Sequence, residues 1–291
     1  MADAPLSFDL YGDAEPASPV ILSVPHAGRD YPLALRAALR VPLAALTALE
    51  DRYIDAVAVL ARGRETMLVQ RLPRAWIDLN RSEQERDPGI DDGASRQSMP
   101  MMSAKTRGGL GLVPRRVSGA GEIWRRRFEA DEVAARIAQD HRPYHAALAD
   151  ALTRARARFG TAVLLDLHSM PSIEPAEGAA RIVLGDRFGR SAASRFVHRL
   201  QGEASAAGIT CALNAPYAGG HILDAQARPK AGVHAIQIEF DRALYLDPAL
   251  DRPGGGLATL ALALVLRRMI DAVADEAMAG PGAVPLAFAA E

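Results

Sequence analysis

The sequence predicts a three-layer α/β/α protein in which helices cover both faces of a mixed, largely parallel central sheet. Two apolar runs, 20–24 and 162–165, have the composition of strands buried in the middle of such a sheet. Helical segments separate several predicted strands, and this alternation is typical of the three-layer class. The remaining predicted strands are 65–70, 75–79, 180–185, 209–213 and 234–240.

Apolar residues spaced at three or four positions predict the helices. The first follows Pro42 and continues to Leu60, so that it contains Glu50 and Asp51. A second helical region covers 122–158, and Pro143 is expected to divide it because proline lacks an amide donor. Two more helices are predicted near 190–207 and after 254–256. The intervening stretch 82–121 has no periodicity, and an irregular segment of that length is usually functional or disordered.

Length and composition predict one catalytic α/β domain, 19–279, with a polar extension at 1–18 and a tail at 280–291. A net charge of -1 gives no reason to expect nucleic acid or a membrane surface as a partner, so a small molecule is expected. Cys211 is the only cysteine, which excludes an internal disulfide and a cysteine-rich zinc site. No signal peptide or spanning segment is recognised, and we expect a cytoplasmic protein.

Two histidines follow the predicted central strands. His26 comes two residues after the strand 20–24, and His168 follows 162–165. The carboxyl ends of parallel strands meet at the rim where α/β sheets bind ligands. A single histidine there is more often structural, but the two together favour a hydrolytic metal site. Asp166 lies on the same strand face as His168 and suits a carboxylate that orients a ligating imidazole, while the cap of a neighbouring helix stays open as the alternative.

The third ligand is expected to be an acid of the first helix. Adjacent helical residues diverge by roughly 100°, so Glu50 and Asp51 are not expected to face the same site. Asp51 is favoured, while Glu50 and Asp55 stay open as alternatives.

Two further segments offer groups for substrate binding and proton transfer. Arg81, at the end of the run Asp78-Leu79-Asn80-Arg81, has the fork of donors that matches a carboxylate, although a surface pair with Glu83 or Glu85 is the alternative. Gln237, Glu239 and Asp241 share one face of a predicted strand. Either this is an ordinary half-solvated strand, or Glu239 projects into the site as a general base.

Taken in order, these motifs make the chain resemble the N-formylglutamate amidohydrolase family, which is related to zinc carboxypeptidases and aspartoacylases. The matching segments cover most of the chain: Ser23–Gly28, Asp51–Asp55, Asp78–Arg81, Gly109–Leu112, Asp166–Met170, Asn214–Gly220 and Gln237–Glu239.

The resemblance implies a phosphorylase/hydrolase-like three-layer fold and one zinc ion held by His26, His168 and a carboxylate. It also implies that Glu239 is the general acid/base and that Asn80 and Arg81 grip the substrate carboxylate; Arg107 and Tyr217 are further candidates for substrate binding. One departure is that the related families place a glutamate three residues after the first histidine, where this chain has Arg29.

The resulting hypothesis is zinc-assisted hydrolysis of an N-acyl amino acid, with N-formyl-L-glutamate, an intermediate of histidine degradation, as the leading substrate. A guanidinium of Arg107, Arg115 or Arg228 is the candidate oxyanion donor, and these arginines and Arg116 are also candidates for recognising other carboxylates. Two alternatives stay open: a zinc peptidase or cell-wall amidase of the same fold, and a non-catalytic binding protein with a vestigial metal site.

Overall fold

The computed structural model describes residues 6–94, 103–173 and 179–280. Its centre is a seven-stranded sheet with the order β1-β3-β2-β6-β9-β7-β8, and a two-stranded hairpin, β4-β5, lies apart from it. The strands are β1 Phe8–Tyr11, β2 Val20–Val24, β3 Thr66–Gln70, β4 Arg116–Val117, β5 Gly121–Glu122, β6 Ala162–Met170, β7 Ile182–Gly185, β8 Cys211–Leu213 and β9 Val233–Asp241.

The sheet is mixed and mostly parallel, as predicted. Strands β3, β2, β6 and β9 run in the same direction, while β1 pairs antiparallel with β3 and β7 antiparallel with β9. The central strands β2 and β6 are buried along their whole length, which explains their continuous apolar composition.

Helices form the two outer layers, which confirms the three-layer prediction. Helices α2, α6 and α8 pack on one face of the sheet, and α1, α4, α5 and α7 pack on the other. Alternate residues of β2 divide between these cores, with Leu22 on the first side and Ile21 on the second. The α-helices are α1 Leu33–Ala38, α2 Ile54–Ala61, α3 Ala104–Arg107, α4 Ala130–Arg136, α5 Arg142–Phe159, α6 Ser194–Ala206, α7 His221–Gln226 and α8 Gly255–Ala279.

Three predicted elements differ in the structure. The helix expected from Pro42 to Leu60 is a 3₁₀ helix, Leu43–Leu49, followed by a break and then α2. The strand expected at 75–79 is wrong: Trp76 N–H donates to the carbonyl of Pro73, which makes a turn instead.

The helical region expected from 122 begins at 130, because Gly121–Glu122 forms the hairpin strand β5. Pro143 lies in the first turn of α5, directly after a π-helical turn, Ile137–His141. Because proline has no N–H, the regular hydrogen bond to the carbonyl four residues earlier is absent at this point, as expected of a residue that divides the helical region.

The predicted division into extension, domain and tail stays a prediction. Residues 1–5 and 281–291 lie outside the described residues, and within the predicted extension Phe8–Tyr11 forms β1. No helix in the described part of the chain has both the length and the apolar character that a membrane crossing requires. The cytoplasmic location also stays a prediction.

Candidate active site

The sheet brings the two predicted histidines together. Strands β2 and β6 are neighbours and parallel, so the residues at their carboxyl ends share one rim. His168 belongs to β6 and His26 follows β2, and their ring centroids are 4.8 Å apart. Both side chains are buried.

Asp51 completes the cluster because it lies in the non-helical segment that separates the 3₁₀ helix from α2. Tyr53 has a left-handed backbone (φ 58°), and the N–H of Asp51 donates to the carbonyl of His26 over 3.0 Å. The Oδ2 atom of Asp51 lies 2.9 Å from Nδ1 of His168 and 3.6 Å from Nδ1 of His26. One potential ligand atom from each of these residues lies within 4.8 Å of the others. We call His26, Asp51 and His168 the catalytic trio.

Each histidine of the trio is oriented by a second carboxylate. Nε2 of His26 donates to Oδ1 of Asp78 over 2.7 Å, and Nε2 of His168 donates to Oδ2 of Asp166 over 2.9 Å. Both rings therefore turn Nδ1 toward Asp51, the arrangement in which an outer carboxylate orients a ligating imidazole. Such an orienting position is predicted from sequence for Asp166 but not for Asp78, although Asp78 begins the motif Asp78-Leu79-Asn80-Arg81.

The charges of the trio stabilise one another. Burial alone would raise the pKa of Asp51, but the interactions of its carboxylate with His168 and His26 outweigh burial and hold that pKa well below its usual range. Burial alone would lower the pKa of His168, but the Asp166 charge and hydrogen bonds to Asp166 and Asp51 raise it well above its ordinary value. The trio therefore pairs an ionised carboxylate with imidazoles that donate to carboxylates.

The two alternative acids are engaged elsewhere. Asp55 forms a two-pronged ion pair with Arg29, with contacts of 2.6 and 3.1 Å. Glu50 accepts a hydrogen bond from the hydroxyl of Tyr31 and lies 3.3 Å from a guanidinium nitrogen of Arg52. Arg29, at the position where related families have a glutamate, thus neutralises Asp55 and leaves Asp51 as the acid beside both imidazoles.

Glu239 stands beside the trio because of the strand register. Strand β9 pairs parallel with β6, and this pairing sets Glu239 directly opposite His168. Its carboxylate accepts a 2.8 Å hydrogen bond from Nε2 of Gln237. Burial, aided by the Asp51 charge and opposed by His168, raises the pKa of Glu239 to about 7. A carboxyl with such a pKa exchanges protons readily near neutral pH.

The trio and Glu239 open onto a cavity of about 260 Å³. Asn80 and Tyr217 line it, and their predicted role in substrate binding stays a prediction. Four cationic side chains also line it: Arg74, Arg81, Lys105 and Arg242. Against them stand the carboxylates of Asp51 and Glu239, so the cavity is suited to an anionic ligand.

The guanidinium of Arg81 is held in place by two main-chain carbonyls, and one of its nitrogens has no partner among the described residues. Its Nε donates to the carbonyl of Leu110 over 2.9 Å and Nη1 donates to its neighbour's carbonyl, that of Asn80, over 2.7 Å. Its Nη2 is buried and has no hydrogen-bond partner among the described residues. Asn80, by contrast, accepts from the N–H of Ile222 and donates to Gln237, so its amide mainly fixes the cavity wall.

The structure does not bring the other predicted arginines to the cavity. Arg107 is exposed and is not among the described residues that line it. Arg115 is paired with Asp87 and Glu122 at 2.8 and 2.5 Å, and Arg228 donates to main-chain carbonyls. Arg116 lies 3.5 Å from Glu122. The cavity is instead lined by Arg74, Lys105 and Arg242, which belong to none of the sequence motifs.

A largely parallel sheet whose rim carries two imidazoles, a carboxylate beside both of them and a glutamate of raised pKa has the groups that a hydrolase of amides needs. The family model for N-formylglutamate amidohydrolase matches residues 18–246. The chain belongs to the N-formylglutamate amidohydrolase family.

Individual relatives agree with this assignment. The chain is 30% identical over 237 residues to the N-formylglutamate deformylase of Pseudomonas aeruginosa, which covers 79% of this chain and 82% of that protein. It is 31% identical over 234 residues to the N-formylglutamate deformylase of Pseudomonas putida, with the same coverage of both chains.

Solved structures show the same fold. The N-formylglutamate amidohydrolase from Ralstonia eutropha JMP134 is similar with a TM-score of 0.82 and 31% identity, covering 94% of this chain and 100% of that one. A protein of Agrobacterium tumefaciens has a TM-score of 0.67 at 18% identity and covers 94% of this chain and 96% of its own, a likeness of fold alone.

Proposed function

We propose that the protein is a zinc-dependent amidohydrolase that cleaves N-formyl-L-glutamate to L-glutamate and formate. One observation carries the proposal: the catalytic trio and Glu239 open onto a single small cavity lined by four cationic side chains. The similarity to proteins named N-formylglutamate deformylase supports the choice of acyl group and amino acid.

The residues of the trio fit a zinc ion. Two imidazoles and one carboxylate are a usual donor set for catalytic zinc, which keeps its fourth position open. Nδ1 of His26 is buried and has no hydrogen-bond partner among the described residues, as expected of an atom that binds a cation. When bound there, zinc supplies Lewis acidity and a water of lowered pKa.

Glu239 is proposed as the proton carrier. It lies opposite His168 and is buried, so its carboxylate is close to the trio and shielded from solvent. With a pKa of about 7 it accepts a proton from the attacking water and then donates it to the amide nitrogen as the C–N bond breaks. The hydrogen bond from Gln237 holds one carboxylate oxygen in place during both transfers.

The cationic side chains are proposed to bind the two carboxylates of N-formyl-L-glutamate. Arg81 offers its unpaired Nη2, and bonds to two carbonyls hold the guanidinium still. Arg74 and Arg242 lie on the same cavity and are the candidates for stabilising the oxyanion, in place of the three arginines named from sequence. Tyr217 adds a hydroxyl to the wall.

The size of the cavity favours a small substrate over a peptide. About 260 Å³ is below the range of roughly 300–1,000 Å³ typical of sites for drug-sized ligands. We therefore favour the amidohydrolase over a peptidase or cell-wall amidase of the same fold.

The experiment is hydrolysis of a substrate panel by chelator-treated protein with and without added zinc. The panel contains N-formyl-, N-acetyl- and N-carbamoyl-L-glutamate, N-formyl-L-leucine and an alanyl-glutamate dipeptide. We expect zinc-dependent release of formate from N-formyl-L-glutamate and much slower reaction of N-formyl-L-leucine, because leucine lacks the second carboxylate. Faster cleavage of the dipeptide, or equal rates on both formyl compounds, would overturn the proposed substrate.

A further inference from the structure

A second cluster of potential metal ligands, made of three histidines, lies outside the catalytic cavity. His141 and His145 are one helical turn apart, where the π-helical turn Ile137–His141 joins α5, and His221 begins α7. One ring nitrogen from each lies within 4.8 Å of the others. Their ring centroids are 4.4, 5.2 and 6.0 Å apart. We call these residues the three-histidine cluster.

Two main-chain carbonyls fix the tautomers of the helical pair. Nε2 of His141 donates to the carbonyl of Arg81 over 2.8 Å, and Nε2 of His145 donates to the carbonyl of Leu79 over 2.9 Å. A carbonyl only accepts, so both Nε2 atoms carry hydrogen and each neutral ring has its lone pair on Nδ1. A hydrogen bond on the far nitrogen is also what orients a metal-ligating histidine.

His141 is only 2% exposed, and its Nδ1 atom has no hydrogen-bond partner in the described part of the chain. Leaving such an acceptor unpaired is costly unless a cation or donor reaches it. It lies 3.9 Å from a carboxylate oxygen of Glu83, and Nδ1 of His145 lies 3.4 Å from the amide nitrogen of Gln226.

The cluster faces a second cavity of about 280 Å³, separate from the first. All three histidines line it, together with Glu83 and Gln226. The side chains nearest to Nδ1 of His141 and to Nδ1 of His145 therefore lie on the wall of this cavity. Glu83 is held on that wall by paired contacts of 2.8 and 2.9 Å to Arg142. An ion in the cavity would therefore have three imidazoles and a carboxylate within reach.

The environment keeps the imidazoles neutral, which is the form that binds metal. Burial, with added repulsion from the other two rings, lowers the pKa of His145 to about 3. Burial also lowers the pKa of His141 and of His221. Because the rings are neutral, no proton has to leave before an ion binds. Imidazole donors suit zinc, copper and nickel.

We propose that the three-histidine cluster is a second metal site, which binds one zinc ion or a similar divalent transition-metal ion apart from the catalytic trio. Its effect would be structural: the rings of His141 and His145 already hold the carbonyls of Arg81 and Leu79. An ion bound by all three rings would tie α5 and α7 to the segment that carries Arg81.

The test is zinc stoichiometry measured on the full chain. Chelator-treated protein is dialysed against buffered zinc, and bound metal per chain is measured by elemental analysis. The variants are His221→Ala and His221→Gln, with His198→Ala as the matched control because His198 is exposed on α6. Circular dichroism and thermal melting confirm that each variant is folded.

We expect both His221 variants to bind one zinc ion fewer than the wild-type chain, while His198→Ala binds the wild-type number. Loss of a direct ligand should weaken the second site by more than the roughly 10- to 100-fold typical of losing an orienting partner. Zinc should also raise the melting temperature of the wild type more than that of either His221 variant. Equal stoichiometry and equal zinc affinity in the wild type and both His221 variants would overturn the proposal.

The result is independent of the proposed activity. A His168→Ala variant loses the catalytic ion if that site binds zinc, yet it should keep the ion that depends on His221. If the wild-type protein hydrolyses nothing on the panel, the difference between it and His221→Ala still decides whether the second site exists.

Discussion

The two histidine clusters of this protein differ in the groups that accept hydrogen bonds from Nε2. In the catalytic trio the acceptors are the carboxylates of Asp78 and Asp166, whereas in the three-histidine cluster His141 and His145 donate to main-chain carbonyls. The pKa of His168 is raised well above its ordinary value, and that of His145 is lowered to about 3. The pKa values of these two imidazoles shift in opposite directions because Asp166 and Asp51 outweigh the burial of His168, whereas burial and the neighbouring rings dominate at His145.

This difference in hydrogen-bond partners agrees with the two proposals, a reactive site at the trio and a structural site at the three-histidine cluster. Outer carboxylates make a ligating imidazole more basic, and an ionised Asp51 adds charge directly to the trio. The carbonyls of the three-histidine cluster orient rings without adding charge. We therefore expect the trio to bind a divalent ion more tightly than the three-histidine cluster does.

Removing the proposed proton carrier should have the largest effect. Glu239→Gln keeps the size of the side chain but cannot accept a proton, so we expect kcat on N-formyl-L-glutamate to fall by roughly 10²–10⁴. Zinc content should be unchanged, because Glu239 is not in the trio. Glu203→Gln on α6 is the control and should retain full activity. A kcat within twofold of wild type in Glu239→Gln would exclude the proton-transfer role.

Arg81 lies between the two clusters, since its guanidinium lines the catalytic cavity and its carbonyl accepts from His141. Hydrogen bonds to charged groups contribute about 1.5–3 kcal/mol, so Arg81→Ala should raise KM by about 10- to 100-fold. Arg115→Ala, whose guanidinium is paired away from the cavity, should leave KM near wild type. Steady-state kinetics checks both, and an unchanged KM in Arg81→Ala would make Arg81 a structural residue only.

Neutralising one outer carboxylate tests the comparison directly. Asp166→Asn leaves His168 with an acceptor but without the anion, so zinc affinity should fall by about 10- to 100-fold. Activity should then be lost at limiting zinc and recovered at high zinc. Asp150→Asn, an exposed position on α5, is the control. Competition with a metal-sensitive dye gives both affinities, and equal values would mean that the Asp166 charge does not tune the trio.

A histidine outside both clusters, His234, offers the smallest and most general test. Burial, with a further contribution from Arg195, lowers its pKa to about 4. The unfolded chain therefore takes up the proton first, so the contribution of His234 to stability is complete above pH 6.5 and is lost as pH falls toward 4.

We expect His234→Gln to flatten the pH dependence of the free energy of unfolding in that window by on the order of 2 kcal/mol. Urea denaturation at several pH values, with His198→Ala as the exposed control, measures it. A pH profile of His234→Gln that parallels the wild type between pH 6.5 and 4 would contradict the assignment.

The positions of residues on or next to central strands were predictable from sequence, whereas the positions of residues in interruptions between helices were not. The buried strands β2 and β6 bring His26 and His168 to one rim, and the apolar sequences of these strands indicate that they lie in the centre of the sheet. Asp51, the favoured acid of the three, lies beside both imidazoles, and its role as a ligand stays a prediction. Its predicted place in a continuous helix was wrong, because the left-handed backbone of Tyr53 interrupts the helix and the apolar spacing does not reveal this.

Long-range pairing explains the remaining misses. Arg115 has the composition of a substrate-binding residue, and only its contacts with Asp87 and Glu122 show that it is occupied elsewhere. Lys105 and Arg242 come from distant segments that meet at the cavity only after folding. The three-histidine cluster joins two positions one turn apart to a third on another helix, a proximity that spacing along the chain does not reveal.

The register between β6 and β9 has a mechanical consequence for the chemistry. His168 and Glu239 are cross-strand partners in a ladder of nine aligned positions, Ala162 with Val233 through Met170 with Asp241. A slip of one residue would turn one of the two side chains to the opposite layer. The alignment of the proposed metal ligand with the proposed proton carrier therefore depends on main-chain pairing. Substitutions in the surrounding loops can change which acyl compound enters without moving these two side chains relative to each other.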